Sequence, residues 1–178
     1  MTKFIAFIAF VIFASCNSQT STTPTDSGAA GKTDTSKKEV TYPYAIGYSS
    51  QFEFSDPEKS KMVLQLWKDF DNNTLDNVKD KFADSVLMKF PDMVMHTTRD
   101  SAIASTKAYR NTLLSVTSTV DVVMSVKSTD KNDEWVLVWG NEIHTDKKNK
   151  TDTIALHEVW GLDKNGKINF MQQYMSHK

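Results

Sequence analysis

The last third of this 178-residue chain is written largely in period two, and that limits its folds more than any other feature. Four segments, "STVDVVMSVKS" (118–128), "EWVLVWGNEIHT" (134–145), "TDTIALHEVWGLD" (151–163) and "KINFMQQYMS" (167–176), are rich in β-branched, aromatic and other apolar residues. "DKND", "DKKNK" and "KNG" separate them. Alternate residues of a strand face opposite sides of a sheet, and short polar turns join neighbours antiparallel. The spacing therefore predicts a long antiparallel meander with a strong twist. In the first segment Val120, Val122, Met124 and Val126 keep the alternation and Val123 falls out of it. The second segment is apolar on both faces in its first half.

Upstream the period changes to that of a helix. Asp56 is placed as an N-cap and Pro57 at the first helical position. Met62, Val63, Leu66, Trp67 and Phe70 then recur at helical spacing up to about Asp71. Thr74 is expected to cap a second, shorter helix carrying Leu75, Val78 and Phe82. "SVLMKF" and "MVMHTT" read as two strands around "PD", and a third helix is expected from about Asp100 to Leu114. "YPYAIGYSSQFEF" (42–54) is rich in aromatics and turn formers and reads as an extended arm lying on the domain. This order of helices, short hairpin, helix and long meander predicts an α+β fold with helices packed on one face of a curved sheet.

The N-terminal 39 residues have a different character. Met-Thr-Lys is followed by "FIAFIAFVIFA" (4–14), apolar throughout, and then by Ser15 and Cys16. A basic tip, a short apolar run and a small residue mark a secretory signal. The apolar run is shorter than the ~20 residues a spanning helix needs. "FAS" before Cys16 resembles the bacterial lipobox, with Phe13 where leucine is usual, so residues 1–15 are expected to be a lipoprotein signal peptide and Cys16 the lipidated residue. Residues 16–39 hold no large apolar side chain and read as a tether spanning about 25–30 Å as a coil. Residues 40–55 are then the arm and 56–178 the folded domain. No acidic cluster follows Cys16, and the expected location is the cell envelope, on the periplasmic side of the outer membrane, held by the lipid.

Several functions are disfavoured. A net charge of −1 and the absence of a basic face argue against nucleic acid. One cysteine makes no intramolecular disulfide. There is no phosphate-cradling glycine loop, no dinucleotide fingerprint and no Gly-x-Ser-x-Gly elbow, and no cofactor is expected. Glu142, His144, His157 and Glu158 show no recognised metal-ligand spacing. His157 and Glu158 point to opposite faces of their strand, so these four read as solvent-facing or outer-face residues and no metal is expected. His96 reads as a strand-end residue.

"LWKDFDNNTLDNVKDKFADSV" and the closing hairpin "HEVWGLDKNGKINFMQQY" resemble the nuclear transport factor 2-like, or SnoaL-like, superfamily over residues 56–176. The resemblance implies a cone, in which a curved antiparallel sheet wraps three helices around a pocket, and it implies a possible homodimer through the outer sheet face. With Glu158 pointing into the cone, strand phase brings Leu156 and Trp160 with it and turns His157 and Val159 outward. Met171, Gln173 and Met175 then line the next strand, and Trp139 and Phe90 complete the expected ligand-binding set. An inward Glu158 is desolvated, and its pKa is expected to rise. Aligned with the ketosteroid isomerases of the superfamily, Glu158 takes the place of their hydrogen-bonding acid. The base position falls on Phe90 and the tyrosine position on Leu66, or on Trp67 one residue later. Neither Phe90 nor Leu66 can do that work. The expectation is a lipid-anchored domain that binds a small apolar ligand or a protein partner without a complete catalytic set. The alternative is an isomerase, cyclase or dehydratase using Glu158 as acid or base, helped by His96.

Overall fold

The computed structural model of the protein describes residues 40–178. The expected signal peptide, Cys16 and the expected tether lie outside the described residues. A short strand β1 (Phe52–Phe54) leads into helix α1 (Pro57–Asp71), a 3₁₀ segment (Leu75–Lys81), the strands β2 (Phe82–Lys89) and β3 (Val94–Thr98), and helix α2 (Arg99–Arg110). Four long strands follow: β4 (Leu113–Ser128), β5 (Glu134–Asp146), β6 (Thr151–Leu162) and β7 (Ile168–His177). All seven strands form one sheet in the order β1-β4-β5-β6-β7-β2-β3. The sheet is mixed, not purely antiparallel, because β2 runs parallel to β7. That pairing requires a long connection, and α2 with the meander supplies it.

Local chemistry accounts for most boundaries. The Asp56 side chain accepts from the Glu58 amide at 2.9 Å, with Pro57 at the first position. α1 ends at Asp71, where its last carbonyls need partners. Arg110, buried at the end of α2, donates to the carbonyls of Phe70 and Asp71, each at 2.8 Å. A guanidinium fork suits this double contact, and its charge lies where the helix dipole is negative. Thr74 is not a side-chain cap. Its hydroxyl turns back to Asp69 at 2.5 Å, and the following segment is 3₁₀ rather than α. Phe82 opens β2 instead of closing a helix, and α2 stops at Arg110, leaving Leu113 and Leu114 to β4.

The irregular Val123 has a structural cause. β4 carries a bulge between Val120 and Val122, opposite Gly140 and Trp139. An extra residue shifts the side-chain phase by one. Val116 and Ser118 share the inner face before the bulge, and Val123 and Ser125 share it after. The core lies between this inner face and the helices: Val63, Leu66 and Trp67 of α1 meet Val136, Val138, Leu156, Trp160 and Met171 of the sheet, closed below by Leu75, Val78 and Ile103.

Candidate functional site

Glu158 stands at the centre of the inner face and is buried. On β6 it shares its face with Ile154, Leu156, Trp160 and Leu162, all buried. One carboxyl oxygen accepts from the indole nitrogens of Trp67 at 2.7 Å and Trp160 at 3.0 Å. The other accepts from the Gln173 amide at 2.8 Å. The Trp67 ring lies against Gly140: a Cβ there would stand 3.0 Å from the indole and 2.2 Å from the Thr119 carbonyl oxygen. Burial pushes the Glu158 pKa up to about 7; the Gln173 bond opposes the rise, the Glu142 charge adds to it, and the two indole bonds oppose it. None of the three partners can exchange a proton with the carboxyl. An indole N–H donates a hydrogen bond only.

Of the residues expected around Glu158, Trp160 and Gln173 touch it directly. Leu156 and Met171 are buried in the same core, and Phe90 packs on it half-buried. Met175 follows near the open end of β7 and is exposed. Trp139 is corrected: it lies opposite His157 and stacks on its ring at 4.3 Å, on the outer face, because Val138 and not Trp139 is the partner of Glu158. Tyr174 stacks on the other side of His157 at 5.7 Å. His96 sits exposed on β3, bonded to Ser85 at 3.3 Å, away from the Glu158 network. Trp67, read from sequence only as core, is a direct partner of Glu158. The one-residue shift in the alignment of α1 was the signal for it.

The sequence reading also misplaced Glu142 and His144. Both are buried on the inner face of β5, with His144 Nε2 2.7 Å from Glu142 Oε2. The edge of the Tyr109 ring approaches His144, with centroids 6.3 Å apart. Burial, followed by the Glu142 and Asp152 charges, raises the Tyr109 pKa. Asp152, the cross-strand partner of His144, is held by His177 Nδ1 at 2.7 Å. Two carboxylate–imidazole pairs thus stand on neighbouring strands. Among the described residues no three of His, Cys, Asp and Glu are grouped to hold a metal ion.

A cleft of about 670 Å³ opens between α1 and β4, lined chiefly by Phe54, Pro57, Leu64, Val123 and Met124, with Ser60, Lys61 and Gln65 as its polar margin. Its size lies within the range of small-molecule sites.

This architecture is shared with solved structures. A SnoaL-like polyketide cyclase candidate from Shewanella denitrificans matches with a TM-score of 0.56 at 11% identity, over 68% of this chain and 92% of its own. An LEH-like epoxide hydrolase from M. tuberculosis matches with a TM-score of 0.55 at 11% identity, over 67% and 83%. An NTF2-like protein of unknown function from Exiguobacterium sp. 255-15 matches with a TM-score of 0.55 at 11% identity, over 65% and 98%. No protein-family model matches the sequence, and no curated protein matches it. The domain has the nuclear transport factor 2-like, SnoaL-like fold: a curved sheet wrapped around its helices.

Proposed function

We propose that this domain binds a small, largely apolar molecule in the cleft between α1 and β4, and that Glu158 organises the interior instead of reacting. The cleft carries the reading: it is open, apolar over most of its wall, and large enough for such a molecule. The Glu158 carboxyl, in contrast, is engaged by Trp67, Trp160 and Gln173. On the same reading Cys16 carries a lipid and the domain works in the cell envelope. A thermal-shift screen of amphiphilic and hydrophobic compounds tests the site. Ligands that raise the melting temperature of the native protein should lose that effect in Val123→Arg, which places a charge on the cleft wall, and keep it in Glu158→Gln. A ligand lost in Glu158→Gln and kept in Val123→Arg would place binding inside the cone and end the proposal.

A second reading rests on one different observation. Glu142 holds His144 through Nε2 at 2.7 Å, and among the described residues Nδ1 has no hydrogen-bond partner. A carboxylate-oriented imidazole is the arrangement of a general base. The domain would then be an acid–base enzyme, like the cyclases and epoxide hydrolases that share its fold, with His144 as base. Deuterium uptake from D₂O at the acidic carbon of a bound cyclic ketone, lost in His144→Gln and kept in Glu158→Gln, supports this reading. Uptake unchanged in His144→Gln defeats it.

A further inference from the structure

The arm presents a surface that the fold does not use. Residues 40–52 hold no charged side chain, in a chain that is 24% charged. Tyr42, Tyr44, Ile46, Tyr48 and Phe52 are all exposed, Tyr44 at 82%. Single exposed apolar residues are ordinary, but a contiguous set marks a contact surface. The arm is also fixed in place. The Tyr48 hydroxyl donates to Asp133, and its ring meets Trp135 edge-on at 6.0 Å. Ser49 Oγ donates to Asp130 at 2.5 Å, the Thr129 amide to the Gln51 carbonyl at 2.9 Å, and β1 pairs with β4. The β4–β5 turn therefore holds the root of the arm while its apolar side chains stay outside the core.

We propose that residues 42–52 rest on a lipid surface. Three features choose that occupant. Tyrosine rings, apolar with one polar tip, suit the headgroup boundary, where they are enriched. An uncharged segment enters that boundary without desolvating a charge. Finally, on the proposed reading that Cys16 carries a lipid, the tether that follows it holds the root of the arm within about 25–30 Å of the membrane.

Hydrogen exchange of the full chain tests this, measured free and on vesicles of phosphatidylethanolamine and phosphatidylglycerol. Amides of residues 44–52 should slow several-fold on vesicles, with the β6–β7 turn at Asp163–Lys167 unchanged. Tyr42→Ser combined with Tyr44→Ser and Ile46→Ser should abolish that slowing while the melting temperature holds. Three results would overturn the proposal. The chain could fail to sediment with vesicles. It could sediment with the arm exchanging as it does in solution, which assigns lipid contact to residues 1–39 alone. The arm could be equally slowed in concentrated protein without vesicles, which assigns the surface to a second copy of the chain.

Discussion

Glu158 is a carboxyl whose surroundings disagree about its charge. Desolvation favours the neutral acid, whereas Trp67, Trp160 and Gln173 donate to the ionised form. The balance lies at about 7, so the group titrates under ordinary conditions beside two indoles. Tryptophan fluorescence of the native protein should therefore change with a midpoint near pH 7. Glu158→Gln should remove the transition and keep the fold. The amide oxygen can accept from both indoles, and its NH₂ group then faces Gln173, which satisfies it by turning its own amide over. A transition that survives in Glu158→Gln would assign the titration to another group. Asp69 shows the opposite balance. It too is buried, yet hydrogen bonds from Thr74, Gln65 and Asn77 outweigh burial and hold it below the usual carboxylate range.

At the scale of elements, β5 and β6 are where the indole, the acid and the backbone meet. Gly140 is required there by close approach and not by its backbone angles. A methyl group would meet the Thr119 carbonyl oxygen, which belongs to the paired strand and cannot swing aside. Gly140→Ala should cost about 3 kcal/mol, the upper end of ordinary overpacking. It should also push Trp67 off Glu158, so the fluorescence midpoint should move above about 7. Gly161→Ala is the milder contrast: its new methyl meets the Trp135 ring at 3.0 Å, which can turn, and the Phe170 Cβ at 3.1 Å, which must yield by only a few tenths of an ångström, with no backbone atom as close as the Thr119 oxygen is to Gly140. Paired melting curves check this ordering, and equal losses in the two variants would contradict it. The same elements show what sequence patterns can and cannot carry. Period two placed Leu156, Glu158 and Trp160 together on β6, because one strand's phase is a local property. Asp56 and Pro57 marked the start of α1 for the same reason. Trp139 was misplaced because β5 is apolar on both faces in its first half, so composition could not say which face was inner. The contact of Trp67 with Glu158 joins residues far apart in the chain, and the parallel pairing of β2 with β7 depends on the closure of the whole sheet. No local pattern records either.

For the whole molecule, these buried acids shape stability against pH from opposite sides. The folded-state pKa of Asp69 is lowered, so its contribution is present above the unfolded pKa and is lost as pH falls through the folded value. Glu134, bonded by Lys59 and Ser55, acts in the same direction. Glu158 reverses the sign. Between its unfolded value of 4.5 and about 7 the folded chain binds a proton that the unfolded chain has released. Stability then falls as pH rises through that interval and levels off above it. At about 1.4 kcal/mol per pKa unit the loss is on the order of 3 kcal/mol, a large fraction of the margin of an ordinary domain. Maximum stability is therefore expected on the acid side of neutrality, near the lower end of that interval. Urea midpoints measured across the pH range test this directly. The native protein should weaken steadily from about pH 4.5 to about 7. Glu158→Gln should be flat over the same interval and keep the acid limb set by Asp69, leaving the variant the more stable of the two above neutrality. A native midpoint that rises from mildly acidic pH to neutrality would mean that Glu158 is ionised throughout, held by its three donors, and the interior would then have to be read as a permanently charged site.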